Sequence, residues 1–572
     1  MEAKARMKRL WREIFGEGVG RELLEGFLEQ LDRTKETHFS GEGQKDTDWY
    51  KDAVVYSTYG DLFNKDLLGL SDKLDHLQEL GINCIWLLPV LESPMKDAGF
   101  DISDFSSIRS ELLGLPEGAS PEEKDRVFAG FIQAAHARGI RVIFDIAINH
   151  CSMEHPWFQE ARRSKDSPKR DWFIWSDTTD RYKEARIIFK GMCKSNWEWD
   201  ETAGQYYFHR FFEIQPDLNY RNPELLLAMV QVLVDWKVRG IDGFRADAVP
   251  YLWKEEGTNC ENLPGTHLIV KFFRAALDFL EEGTLVLAEA CQPPVDVVEY
   301  FGENDECHAA YHFPVMPRIY KALAEGRKDS IEMVMDPSFT PPIPGDCQWF
   351  MFLRCHDELT LEMVTPEERE FIYKAYVKDP LWDFRQGEGI SARLAELFEG
   401  DIRRIRLAYS IMFTLLGTPI IYYGDEFGKG NDLAYYQEVY AQTGYPDTRY
   451  LVRGRIDWDQ VEAQLGDPAS LGHQIYHTLK RMVAVRGSQK AFARGDLRFL
   501  ELGGADGAVN SHVLAYERAY GKEQAVVLQN LTGEEQTVEA KALDGREKDL
   551  LGQEIRRQGG LVVLPPYGFH WC

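Results

Sequence analysis

IRVIFDIAINH, residues 140–150, reads as a strand apolar on both faces that closes on Asp145, Asn149 and His150. A strand with two apolar faces is buried on both sides, as in a parallel sheet covered by helices. Seven further runs have the same character: AVVYSTY (53–59), INCIWLLP (82–89), IDGFRADAV (241–249), LVLAEA (285–290), AAYHF (309–313), WFMFLRCHD (349–357) and TPIIYYGDE (418–426). Amphipathic helical stretches separate them. Eight such units in series fit an α/β fold of the (β/α)8 barrel type better than an open sheet.

The polar residues sit where each apolar run ends. The third run ends in Asp145, Asn149 and His150, the fourth in Arg245 and Asp247, the fifth in Glu289, the seventh in His356 and Asp357. Charges in a barrel wall are costly. At the C-terminal ends of the strands they converge on one pocket, which predicts a reaction site. Asp145 alone could equally serve to hold a neighbouring arginine.

Two connections are longer than a loop and a helix require. Residues 151–213, with WFIWSD, WEWDE and QYYFHRFF, read as a small inserted domain, and Glu358–Gly417 as a second insertion. Long βα insertions commonly sit over the functional face. Residues 1–47 predict an N-terminal helical extension of two amphipathic helices, a cap on the main domain or a dimer surface, with a polar linker at Ser40–Thr47. The barrel is expected over 48–150 and 214–484. From 485 to 572 short alternating runs with glycine turns predict a C-terminal β-sandwich.

The 572 residues are too many for one compact domain and allow a large core, at 44% hydrophobic and 28% charged. A formal charge of −27 disfavours nucleic acid and anionic membranes and suits a neutral substrate. Nine scattered cysteines without a C-x-x-C pair predict reduced thiols and a cytoplasmic setting. MEAKARMKRLWREIFGEGVG contains no long apolar run, so neither a signal peptide nor an anchor is expected there. Homo-oligomerisation is left open.

Paired carboxylates beside an arginine suit a retaining glycosidase, which needs one ionised nucleophile and one protonated acid. Arg245, two residues before Asp247, shares its strand face and favours the ionised form of Asp247. That makes Asp247 the nucleophile and Glu289 the acid/base, its proton retained by neighbouring negative charge. Asp357 is assigned to sugar hydroxyls at the distorted ring. His150 and His356 can donate to hydroxyls; Phe100, Phe211 and Phe212 are candidates to stack on sugar faces.

DIAINH (145–150), QPDLN (215–219), GFRADAV (243–249), LAEA (287–290), CHDE (355–358) and GTPIIYYGDE (417–426) resemble, in order, the motifs of glycoside hydrolase family 13, the α-amylase family. The resemblance covers roughly 50–490. It implies the barrel, the inserted B domain, the C-terminal sandwich and the same three roles for Asp247, Glu289 and Asp357. GFDISDF (99–105), EGTNCENLP (256–264), DECHAAYHFP (305–314) and HDELTLEMVT (356–365) are similar to the trehalose-synthase branch. DTRYLVRGRIDW (447–458) is instead similar to amylosucrases, whose ion pair at the pocket floor maps onto Asp97 and Arg449.

The resemblance implies small neutral α-glucosides such as maltose, trehalose or sucrose as substrates. It favours conversion of maltose to trehalose with some hydrolysis. The alternatives are an α-glucosidase, an amylosucrase-like glucosyltransferase using sucrose, and a catalytically silent barrel that only binds carbohydrate. Phe100 stands where the family has Tyr, and Cys355 where it has Asn. A calcium site of the branch would fall on Asn149, Asp200, Tyr251 and Leu252, beside Lys254 where the family has an acid. The loop at 61–70 has lost most of its carboxylates. No cofactor is therefore expected to be required, calcium included.

Overall fold

The computed structural model describes residues 2–41 and 46–572; positions 42–45 of the expected linker lie outside the described residues. Eight parallel strands close into a barrel: β1 (Val55–Thr58), β2 (Cys84–Leu87), β3 (Arg141–Ala147), β4 (Gly243–Asp247), β5 (Leu285–Ala288), β6 (Ala309–Tyr311), β7 (Gln348–Phe352) and β8 (Thr418–Tyr422). Closure is made by β1 on β8, with Val55 opposite Ile420. Every one of the eight apolar runs contributes its strand. The register puts Asp145 of β3 beside Arg245 of β4, and Arg245 beside Leu287 of β5. Charges from separate strands thus meet at one level of the barrel.

Helices α1 (Glu2–Phe15) and α2 (Arg21–His38) lie against α3 (Pro223–Val238) and α4 (Pro264–Leu280) on the barrel's outside. Trp11 packs on Phe272 with ring centroids 5.9 Å apart, and Arg6 pairs with Asp278 at 2.8 Å. Leu10, Leu24, Leu28 and Leu31 are buried in this packing, which agrees with the cap reading, while Val19 and Leu23 stay exposed. The first insertion carries a three-stranded antiparallel sheet, Trp175–Ser176, Gln205–Phe208 and Trp197–Asp200, over a core that includes Ile174, Tyr182, Trp197 and Phe208. Its return is fastened by a bridge between His150 and Asp217.

The second insertion holds a helix, Pro366–Tyr376, and a small sheet of 359–360, 389–390 and 383–384. Then come α5 (Ile402–Thr414) and α6 (Leu471–Ser488). The boundary expected at 485 falls inside the last turn of α6, which ends at Ser488, and the strands begin at Asp496, where the first alternating run, DLRFLEL (496–502), starts. Beyond it, a four-stranded and a three-stranded sheet share Val513, Leu528, Val538, Val562 and Leu564 as a sandwich core. Among the described residues no helix is long and apolar enough to cross a membrane.

Candidate active site

The C-terminal ends of the strands open into one pocket. At its floor the buried Arg245 guanidinium ties three carboxylates together. Its Nη1 donates to Asp145 Oδ1 at 2.8 Å and to Asp247 Oδ1 at 2.5 Å, and its Nη2 lies 3.6 Å from Glu289 Oε1. Asp145 also accepts from the Trp86 indole at 3.2 Å, so its task is to hold the arginine. Ala248 follows Asp247 in a left-handed conformation, φ 56°, which costs a side-chain-bearing residue about 1–2 kcal/mol. That twist aims its N–H at Glu289 Oε2, 2.9 Å away.

Asp357 Oδ1 accepts from Arg449 at 3.0 Å and Arg453 at 3.3 Å, while His356 Nε2 lies 3.1 Å from Oδ2. Arg449 Nη2 also donates to Asp97 Oδ1 at 3.2 Å and binds Asp447 through three further hydrogen bonds from its Nε and Nη2. Gln215 fixes the other Asp97 oxygen at 2.9 Å. The expected floor pair of Asp97 and Arg449 is thus in contact. Phe100 stacks on His356 at 5.4 Å, and His150 borders the pocket against Phe211.

Electrostatics separates the acids. Burial raises Glu289 to about 7, Asp247's charge adding and Arg245 opposing. Burial also raises Asp247, to about 6, because the charge and the hydrogen bond of Arg245 only partly offset it. Desolvation is therefore the leading influence on both, ahead of the neighbouring charge weighed from sequence. Burial acts on Asp357 too, yet His356, Arg449 and Arg453 hold it well below the ordinary carboxylate value. The guanidiniums set that direction, since burial pushes His356 down to about 4 and leaves it neutral above that.

Asp97, Phe100, His150, Arg245, Asp247, Glu289, His356, Asp357 and Arg449 all border the pocket. Phe212 does not. It is buried between Phe189 and Tyr445, at 4.5 and 4.7 Å, and its neighbour Phe211 faces the pocket instead. Adjacent residues on an extended turn point opposite ways, and the sequence offers no sign of which points inward.

The lengths of the two insertions pointed to a cover over the pocket, but the residues that join it were not legible in the sequence. Arg186 and Phe189 of the first insertion, and Glu362 and Arg385 of the second, line the pocket. Arg186 pairs with Glu362 at 2.8 Å and with Glu261 at 2.9 Å; Arg385 also pairs with Glu362, and Lys190 with Glu388 at 2.5 Å. The two insertions therefore meet over the pocket. Of the aromatic stretch Tyr206–Phe212, expected to help form this cover, Phe211 lines the pocket, Tyr206–Phe208 belong to the B-domain sheet, and the ion pairs across the roof come from Arg186 and Lys190 instead.

The residues mapped as calcium ligands do not fit a metal. Lys254 is buried with its ammonium 2.8 Å from Asn149 Oδ1, 2.7 Å from Asp217 Oδ2 and 3.4 Å from the Leu218 carbonyl. Asp200 turns to Arg162 at 2.7 Å, and the Tyr251 hydroxyl accepts from Arg186 at 3.4 Å. A positive charge already occupies the oxygens that a cation would use.

The α-amylase catalytic-domain profile matches residues 36–361, more than half of the chain. The chain belongs to the α-amylase family. Within this family, it is 41% identical to "Trehalose synthase/amylase TreS" of Mycolicibacterium smegmatis over 92% of each chain. It is 39% identical to a trehalose synthase of Pimelobacter, across 92% of this chain and 96% of that one. A profile for the maltogenic amylase C-terminal domain matches 508–571. Among solved α-amylase-type folds, a trehalulose synthase variant in complex with Tris superposes with a TM-score of 0.69 at 23% identity, covering 91% of this chain and 99% of its own.

Proposed function

We propose that this chain converts maltose to trehalose by intramolecular glucosyl transfer. Asp247 attacks the anomeric carbon of the non-reducing glucose while Glu289 gives its proton to the departing O4. The C1–O4 bond breaks and a glucosyl–Asp247 ester forms. The released glucose turns within the pocket and presents its anomeric hydroxyl. Glu289 takes that proton as O1 attacks C1, and the ester carboxylate leaves. Two inversions keep the α configuration, and no water is consumed. Asp357, locked by Arg449 and Arg453, holds hydroxyls of the distorted ring, and Asp97 with Arg449 receives the non-reducing end.

The observation that carries this reading is the joined roof. An isomerase must retain a free glucose and keep water from an ester, and both need a covered site. The family relatives named trehalose synthases support the same choice. Nine free cysteines, with no disulfide among the described residues, agree with a cytoplasmic setting.

Incubation with maltose in the presence of 13C-labelled glucose, followed by chromatography and mass spectrometry, tests it. Unlabelled trehalose with minor free glucose is expected, and trehalose should run back to maltose. Glucose as the dominant product would select hydrolysis instead, and glucan growth from sucrose would select a glucosyltransferase.

A further inference from the structure

On the far side of α5 and α6, where the C-terminal sandwich meets them, lies a cleft of about 310 Å³. Arg406 of α5, with His473, His477 and Arg481 of α6, supplies its charge, and Leu551 and Phe569 of the sandwich supply an apolar wall. Neither arginine has an ion-pair partner among the described residues. Arg406 Nε donates to Thr478 Oγ1 at 2.9 Å, and Arg481 Nη1 to the Leu551 carbonyl at 3.2 Å. Arg406 is half-buried, and both its desolvation and the charge of Arg481 work against it. The histidine rings lie 4.1 Å apart, and His473 Nδ1 donates to the Leu465 carbonyl at 2.7 Å, so its Nε2 can donate to an anion only in the protonated ring. The nearby carboxylate, Glu79, is already engaged by Lys480.

Basic residues on a surface are ordinarily solvated or paired. Here two guanidiniums and two imidazoles converge in a recess of a chain whose formal charge is −27, without a carboxylate between them. Paired guanidiniums match the oxygens of a tetrahedral oxyanion better than they match a single carboxylate. We propose that this cleft binds a phosphate-type dianion, held by Arg406 and Arg481 and flanked by His473 and His477. The site lies outside the catalytic pocket and shares no residue with it. The dianion is either free inorganic phosphate or the phosphomonoester of a sugar whose carbon skeleton rests on Leu551 and Phe569.

Titration calorimetry on the full chain at fixed ionic strength, with inorganic phosphate and separately with glucose 6-phosphate, tests this. Fixed salt is needed because surface charge interactions are screened within about 10 Å at ordinary ionic strength. Saturable binding is expected, weakened by about tenfold in Arg406→Gln and in Arg481→Gln. Phosphate-free maltose turnover and the melting transition should stay at wild-type values in both variants. Tighter binding of the ester assigns the sugar phosphate, and equal or weaker binding assigns the free anion. Absence of saturable heat for both probes up to about 10 mM, or an unchanged affinity in Arg481→Gln, overturns the proposal. The exposed Arg481 carries the test alone if Arg406→Gln does not fold.

Discussion

Asp247 and Glu289 share the Arg245 guanidinium, but Asp247 accepts a hydrogen bond from it at 2.5 Å while Glu289 stands 3.6 Å off and takes an amide N–H. Asp247→Asn keeps the shape and removes the nucleophile, so turnover of every α-glucoside should fall by about 10⁴-fold or more with the melting transition retained. Substantial residual activity would refute the assignment. Glu289→Gln should cripple maltose yet spare aryl glucosides whose leaving group needs no proton; equal losses on both would speak against Glu289 as the acid. The two acids also set the pH profile. Activity needs Asp247 ionised and Glu289 protonated, so the rate should rise through about 6 and fall through about 7. A plateau from pH 5 to 9 in kcat/KM would contradict that pairing. These acids were legible because each interrupts an apolar strand, a cost with few non-catalytic explanations. Arg186 and Glu362 were not, because each is an ordinary loop charge until folding brings together positions 176 residues apart.

The elements that matter most to selectivity are the two insertions. Glu362 is the shared acceptor of Arg186 and Arg385, so a single substitution there loosens both sides of the roof. Glu362→Gln should raise the share of free glucose among maltose products severalfold, with total maltose consumption kept within about tenfold. Chromatography of the products checks this; an unchanged product ratio would show that water is excluded elsewhere. All eight barrel strands were readable, since burial on both faces leaves an unbroken apolar run. The end of α6 at Ser488 was not, because Gln489, which follows it, is no helix-stopping residue.

Across the whole molecule, the Lys254 ammonium ties together the barrel, the B domain and the loop after β4 through Asn149 and Asp217. Treatment with EDTA should therefore leave activity unchanged and the melting temperature within about 1 °C; a larger drop reversed by calcium would reveal a metal site. The N-terminal helices add to the same frame from outside, burying Leu24, Phe27, Leu28 and Leu31. A bound ion stabilises a fold only in proportion to its concentration relative to its dissociation constant, so its contribution falls when the medium is depleted. A cation carried on a side chain obeys no such mass action. It arrives with the polypeptide in one-to-one ratio and cannot be diluted away or displaced by a competing metal. The contacts that Lys254 makes at the domain junction thus have the same occupancy in calcium-poor and calcium-rich surroundings.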